Sequence, residues 1–155
     1  MRVFGIPGVP LALTLAGLIP FGAGAGVMWY ARGDDPVLQA QAALSLLVYA
    51  GVILSFLGGV RWGAEINANG SGIPRTRLMV LSVLGALAGW GLVLWGVLGS
   101  LGWQVFAAAS AAHVLHGVWD ADGAGLANWF RRLRIFAAAG AVISLGAAAA
   151  VYLVR

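Results

Sequence analysis

The 155-residue chain contains no cysteine and no lysine, and only 9% of its residues are charged. The missing cysteines exclude disulfides, thiol nucleophiles and cysteine-ligated metal or iron–sulfur centres. The scarcity of charge excludes an ordinary soluble domain, in which about a quarter of the residues are Asp, Glu, Lys or Arg. Internal repeats and polar linkers are also missing, so residues 1–155 read as a single integral-membrane domain. What is present instead is 61% hydrophobic residues and a mean hydropathy of +0.93. So much apolar surface must face lipid as well as a core. The net charge is +4, carried entirely by arginines at the ends of apolar runs. That is the pattern of the positive-inside rule, and no basic face is left to bind nucleic acid. The exclusive use of arginine is read as genomic bias without functional content.

Taken in order, the chain predicts an all-α polytopic transmembrane helical bundle of about five spanning helices. The first crossing begins near Pro10 and runs to Tyr30. Pro20 should kink it and free a carbonyl one turn earlier. Arg2 before an apolar run and Ala23-Gly24-Ala25 imitate a signal peptide with its cleavage site, but the segment is expected to be retained. Arg32 to Pro36 is a polar turn, with Asp35 as the cap of the next helix and Pro36 at its first position. The second crossing is Val37 to Val60, followed by a loop from Asn67 to Pro74. The third is Leu78 to Leu98, a tight hairpin from Gly99 to Gly102 follows, and the fourth is Trp103 to Trp119. The fifth is Ile135 to Val154. Arg2, Arg75, Arg77, Arg131, Arg132 and Arg134 then share one side with Arg61 near it, against Arg32 and Arg155 on the other. This asymmetry predicts a cytoplasmic N-terminus and a periplasmic C-terminus.

The stretch from Gly51 to Glu65 organises the rest. Gly51, Ser55, Gly59 and Gly63 recur every fourth residue and predict a smooth ridge for close helix packing or for a partner. Gly85 and Gly89 form a second small-residue pair on the third crossing. Arg61 and Glu65, also four apart, are expected to pair at the headgroup level or, with Trp62, to contact a headgroup or partner. His113, His116 and Asp120 fall on one arc of the fourth helix. Two imidazoles and a carboxylate can ligate a metal or haem or relay protons. The plainer reading gives the histidines neighbouring helices as partners and pairs Asp120 with Arg131 or Arg132. Trp29, Trp62, Trp90, Trp95, Trp103, Trp119 and Trp129 cluster at span ends as an aromatic belt, which needs no ligand. Gly22 to Gly26 lies inside a span, which rules out a phosphate-binding loop.

The run Ile53-Leu-Ser-Phe-Leu-Gly-Gly-Val-Arg-Trp-Gly63 resembles the multi-pass membrane family of unknown function 3429, which includes transmembrane protein 69-like relatives. Leu15-Ala-Gly-Leu-Ile-Pro-Phe21, Asp120 and the Trp129…Arg132-Leu-Arg134 lead-in to the fifth span fit the same pattern. His113 and His116 lie outside it, which weighs against the metal reading. The resemblance implies a bacterial inner-membrane location and about five helices, and it supplies no activity and no functional residues.

The sequence therefore leads to a non-enzymatic accessory, assembly or stabilising subunit of a larger membrane complex, respiratory or photosynthetic by compartment. Its expected partners are membrane lipids and other membrane subunits, with no cofactor implied. Two alternatives stay open. A small transporter or channel would need Thr14, Ser45, Tyr49, Ser55, Ser82, Ser110 and Ser144 on one face. A haem-, metal- or quinone-binding protein would use His113 and His116.

Overall fold

The structure is a computed structural model describing residues 2–3, 5–69, 72, 75–122 and 127–154, without the side chains of Arg2, Val3, Ala68, Asn69 and Asp122. Most of the expected Asn67–Pro74 loop, the Asp122 side chain and the terminal arginines Arg2 and Arg155 thus lie outside the described side chains. Five helices follow a short hairpin: β1 (Arg2–Val3), β2 (Ile6–Pro7), α1 (Gly8–Tyr30), α2 (Pro36–Asn69), α3 (Thr76–Leu98), α4 (Trp103–Asp122) and α5 (Asn128–Val151).

The hairpin was not legible in the sequence. Arg2 opposes Pro7 and Val3 opposes Ile6, and Gly5 turns between them at φ +77°, a conformation that costs glycine little. The buried Ile6 anchors it beside α1 and α5. Pro7, in extended conformation, caps α1, and Pro10 falls in the first turn, where its missing N–H costs nothing. Farther along α1 is Pro20, and one turn before it the Tyr49 hydroxyl donates to the Gly17 carbonyl at 2.8 Å. The second helix begins as expected. Asp35 accepts from the Leu38 amide at 2.9 Å, and Pro36 opens the helix.

Two boundaries differ from expectation. The second helix does not end at Arg61 but runs 34 residues to Asn69, about 51 Å at 1.5 Å per residue. The fifth starts at Asn128, so Arg131, Arg132 and Arg134 stand on a helix rather than before one. Both extensions occur where charged side chains find partners on neighbouring helices.

Contacts fix the directions. Gly51 meets Gly89 and Leu54 meets Gly85, so α2 and α3 are antiparallel. Ala50 meets His113 and Arg61 meets Asp120, so α2 and α4 are parallel. Leu18 packs on Gly140 and Trp29 bonds Ala147, so α1 and α5 are parallel. The helices form a closed ring in the order α3, α2, α1, α5, α4, with α2 and α4 also touching across the middle. One end of the ring is an apolar core of Phe21, Met28, Leu46, Leu47, Phe106 and Leu145 with alanines between them. The other end, at the start of α1, α3 and α5 and the end of α2 and α4, holds the buried charges.

Four of the five helices are long and apolar enough to cross a membrane: α1, α2, α3 and α5. The exception, α4, has 20 residues, about 30 Å, and is made more polar by Gln104, His113, His116, Asp120 and Asp122. The protein is an all-α integral membrane bundle.

Candidate functional site

Among the described residues His113 is buried against the apolar core, beside Ala50 and Phe21, and five other ionisable or imidazole side chains are buried at the polar end: Arg61, Glu65, His116, Asp120 and Arg134. They sort into two groups. Glu65 and Arg75 close the passage from α2 to α3. The Arg75 backbone amide donates to Glu65 Oε1 at 2.7 Å, and its guanidinium forks onto the carboxylate, with Nε to Oε1 at 3.1 Å and Nη2 to Oε2 at 2.8 Å. Arg75 is the N-cap residue of α3, so Glu65 accepts the N-cap amide, as the N3 carboxylate does in a capping box. Hydrogen bonding to Glu65, and then its charge, hold the Arg75 guanidinium above its ordinary pKa.

The second group is built on Asp120, which is 2% exposed. Arg61 Nε donates to Oδ1 at 2.8 Å and Arg134 Nε donates to Oδ2 at 2.7 Å. Arg61 Nη2 also donates to the Trp119 carbonyl, and its guanidinium lies 4.7 Å from the Trp119 ring centroid, within cation–π range. One carboxylate therefore ties α2, α4 and α5 together. His116, one turn earlier on α4, places Nδ1 3.5 Å from Asp120 Oδ2, beyond good hydrogen-bonding distance. Among the described residues neither of its ring nitrogens has a hydrogen-bond partner. Its ring meets Trp119 edge-on, with centroids 5.2 Å apart.

Several expectations are corrected by this geometry. Arg61 and Glu65 do not pair with each other, because at the end of α2 each finds a partner on another segment. Asp120 does not pair with Arg131 or Arg132, since Arg131 Nε donates to the Ala121 carbonyl instead. His113 does not join His116 and Asp120 at a metal. Its Nε2 lies 3.3 Å from the Ala50 carbonyl and its ring meets Phe21 edge-on. No three His, Asp or Glu side chains among the described residues converge on one point. Trp62 stands outward beside the buried Arg61, 41% exposed.

The small residues also divide. A methyl group at Gly89 would lie 2.5 Å from the Gly51 carbonyl oxygen, and one at Gly85 would lie 2.7 Å from that of Leu54. Gly58, which the sequence reading passed over, meets the Ser82 carbonyl more closely still. The α2–α3 seam therefore runs through Gly51, Leu54 and Gly58, not along Gly51, Ser55, Gly59 and Gly63. Ser55 is half-buried and donates to its own helix at Gly51. Gly59 and Gly63 are exposed, with open space where a Cβ would stand. Of the residues that hold these helices together, Arg75, Arg134 and Gly58 were missed as contacts. The available signals were the spacing of Gly58, two turns after Gly51, and the position of Arg134 at the charged start of a helix.

The chain matches the family described as "Protein of unknown function (DUF3429)" over residues 6–150, from the second strand almost to the end of α5. It belongs to that family. Two relatives bear the name Transmembrane protein 69. The one from Xenopus tropicalis is 38% identical over 84 residues, which is 54% of this chain and 32% of that protein. The one from Mus musculus is 34% identical over 88 residues, 57% of this chain and 34% of that protein. The aligned stretch thus spans about a third of each relative. No solved structure matches the DUF3429 chain.

Proposed function

We propose that this DUF3429 protein is a non-enzymatic accessory or stabilising subunit of a larger complex in the bacterial inner membrane. The observation that carries the reading is where its charges go. Asp120 is saturated by Arg61 and Arg134, and Glu65 is engaged by Arg75. The two buried carboxylates, which could otherwise attack, protonate or orient a substrate, are used to hold chain segments to one another. Catalysis asks for a nucleophile, acid or base aimed at a space where a reacting atom can sit, and this arrangement serves assembly instead.

The partner would seat on the outer face of α2, where Phe56, Gly59, Trp62, Gly63 and Ile66 are all exposed. Glycines there permit close backbone approach, while Phe56, Trp62 and Ile66 supply contact area. Arginine placement supports a cytoplasmic polar end and N-terminus, and a respiratory or photosynthetic host suits such a membrane. The channel reading finds less support. Ser55, Ser82 and Ser144 bond carbonyls of their own helices, Tyr49 bonds α1, and Ser45 is exposed, so these five hydroxyls mark no common path.

Mild-detergent purification of the chain at native expression level, with mass spectrometry of what accompanies it, tests the proposal. Stoichiometric recovery of the subunits of one membrane complex is expected. Recovery as an isolated protein carrying its own chromophore or metal would overturn it.

A further inference from the structure

A cleft of about 330 Å³ opens between α1, α2 and α5. Its walls are apolar, with Leu13, Gly17, Phe21, Phe56 and Leu133 among them. Leu13 and Phe56 are exposed on its rim, so it opens sideways from the bundle, where acyl chains lie. On α5 the lining reaches from Phe130 to Ala141, about 16 Å of helix. It thus extends from the polar end toward the apolar core. Three polar side chains line it, Thr14, His113 and Arg134. The His113 ring is held by the Ala50 carbonyl and Phe21. The Arg134 guanidinium is only partly committed: Nε is on Asp120 at 2.7 Å, and its terminal nitrogens carry the donors that remain.

Charge decides the class of occupant. Arg61 and Arg134 bring two positive charges to the single carboxylate of Asp120, and Glu65 is engaged by Arg75. One positive charge is left over beside a low-dielectric groove, where an uncompensated ion is costly. A planar guanidinium with open terminal donors suits a phosphate. We propose that the cleft holds one anionic phospholipid, with its phosphate on the terminal nitrogens of Arg134 and an acyl chain along Gly17 and Leu133 toward Phe21. A zwitterionic lipid fits the apolar part equally but brings a cationic group to a site that already has a positive excess. The site borders the outer face of α2 at Phe56 but does not depend on the subunit reading.

The test uses the full chain in phosphatidylcholine vesicles containing about one-tenth phosphatidylglycerol with the same acyl chains. Native mass spectrometry after release into mild detergent reads the lipid retained. One phosphatidylglycerol per chain is expected, enriched about tenfold over its share in the vesicle and unaffected by excess inorganic phosphate. Ala137→Phe fills the cleft from α5 and Thr14→Phe fills it from α1. Each should remove the bound lipid while helix content and melting stay as in wild type. Arg134→Gln should abolish the preference for phosphatidylglycerol. Equal retention of both lipids by the wild type, displacement by inorganic phosphate alone, or unchanged retention in both cleft-filling variants would overturn the proposal.

Discussion

Asp120 has two carboxylate oxygens, and each receives a guanidinium from a different helix. Breaking a buried pair leaves the surviving charge without compensation, at a cost of about 3–5 kcal/mol. Asp120→Ala strands two arginines, so it should cost at least about 3 kcal/mol in reversible unfolding from mixed micelles. Removing Arg61 and Asp120 together should cost less than the sum of the single changes. Tyr49→Phe removes one hydrogen bond to α1 and should cost only about 1 kcal/mol in the same assay. The sequence made the residues of this site visible, because charges are rare in an apolar chain. It did not make their pairing visible. Arg61 and Arg134 lie 59 and 14 positions from Asp120, whereas helical spacing reveals only neighbours three or four positions away. That is why Arg61 was matched with Glu65, its neighbour on the same helix.

At the scale of elements, the seam between α2 and α3 uses Gly51, Leu54 and Gly58 against Gly89, Gly85 and Ser82. Steps of three and four alternate on both helices, the spacing that keeps two antiparallel helices in register along their length. A strict four-residue ridge drifts around the helix and leaves the partner, which places Gly59 and Gly63 outside. The four-residue repeat was the most evident pattern in the sequence, and the true seam was hidden behind it. Gly89→Leu should separate α2 from α3 and reduce the yield of folded protein sharply, read by size-exclusion chromatography in detergent. Gly63→Leu meets open space and should leave folding unchanged. The crossings themselves were legible because apolar length and turn residues mark them. The C-terminal end of α2 and the start of α5 were not, because the helices continue through charged residues whose partners are distant in sequence.

At the scale of the whole molecule, five helices alternating in direction bring the described Arg61, Arg75, Arg77, Arg131, Arg132 and Arg134 to one end and leave Arg32 at the other. With no cysteine in the chain, single cysteines introduced at Gly72 and Gly33 provide a background-free test. A membrane-impermeant thiol reagent applied to intact spheroplasts should label Gly33→Cys and spare Gly72→Cys until the membrane is opened. The opposite labelling would invert the orientation. Buried charges and the inner seam hold the bundle, and under the proposed function the outer face of α2 would meet a partner. The most direct measurement is mild-detergent co-purification of wild type and the Gly59→Leu, Gly63→Leu double variant side by side, with a thermal melt of each. The account predicts the same melt for both and loss of the accompanying subunits from the variant alone. An unchanged melt with the same subunits retained by both chains would contradict it.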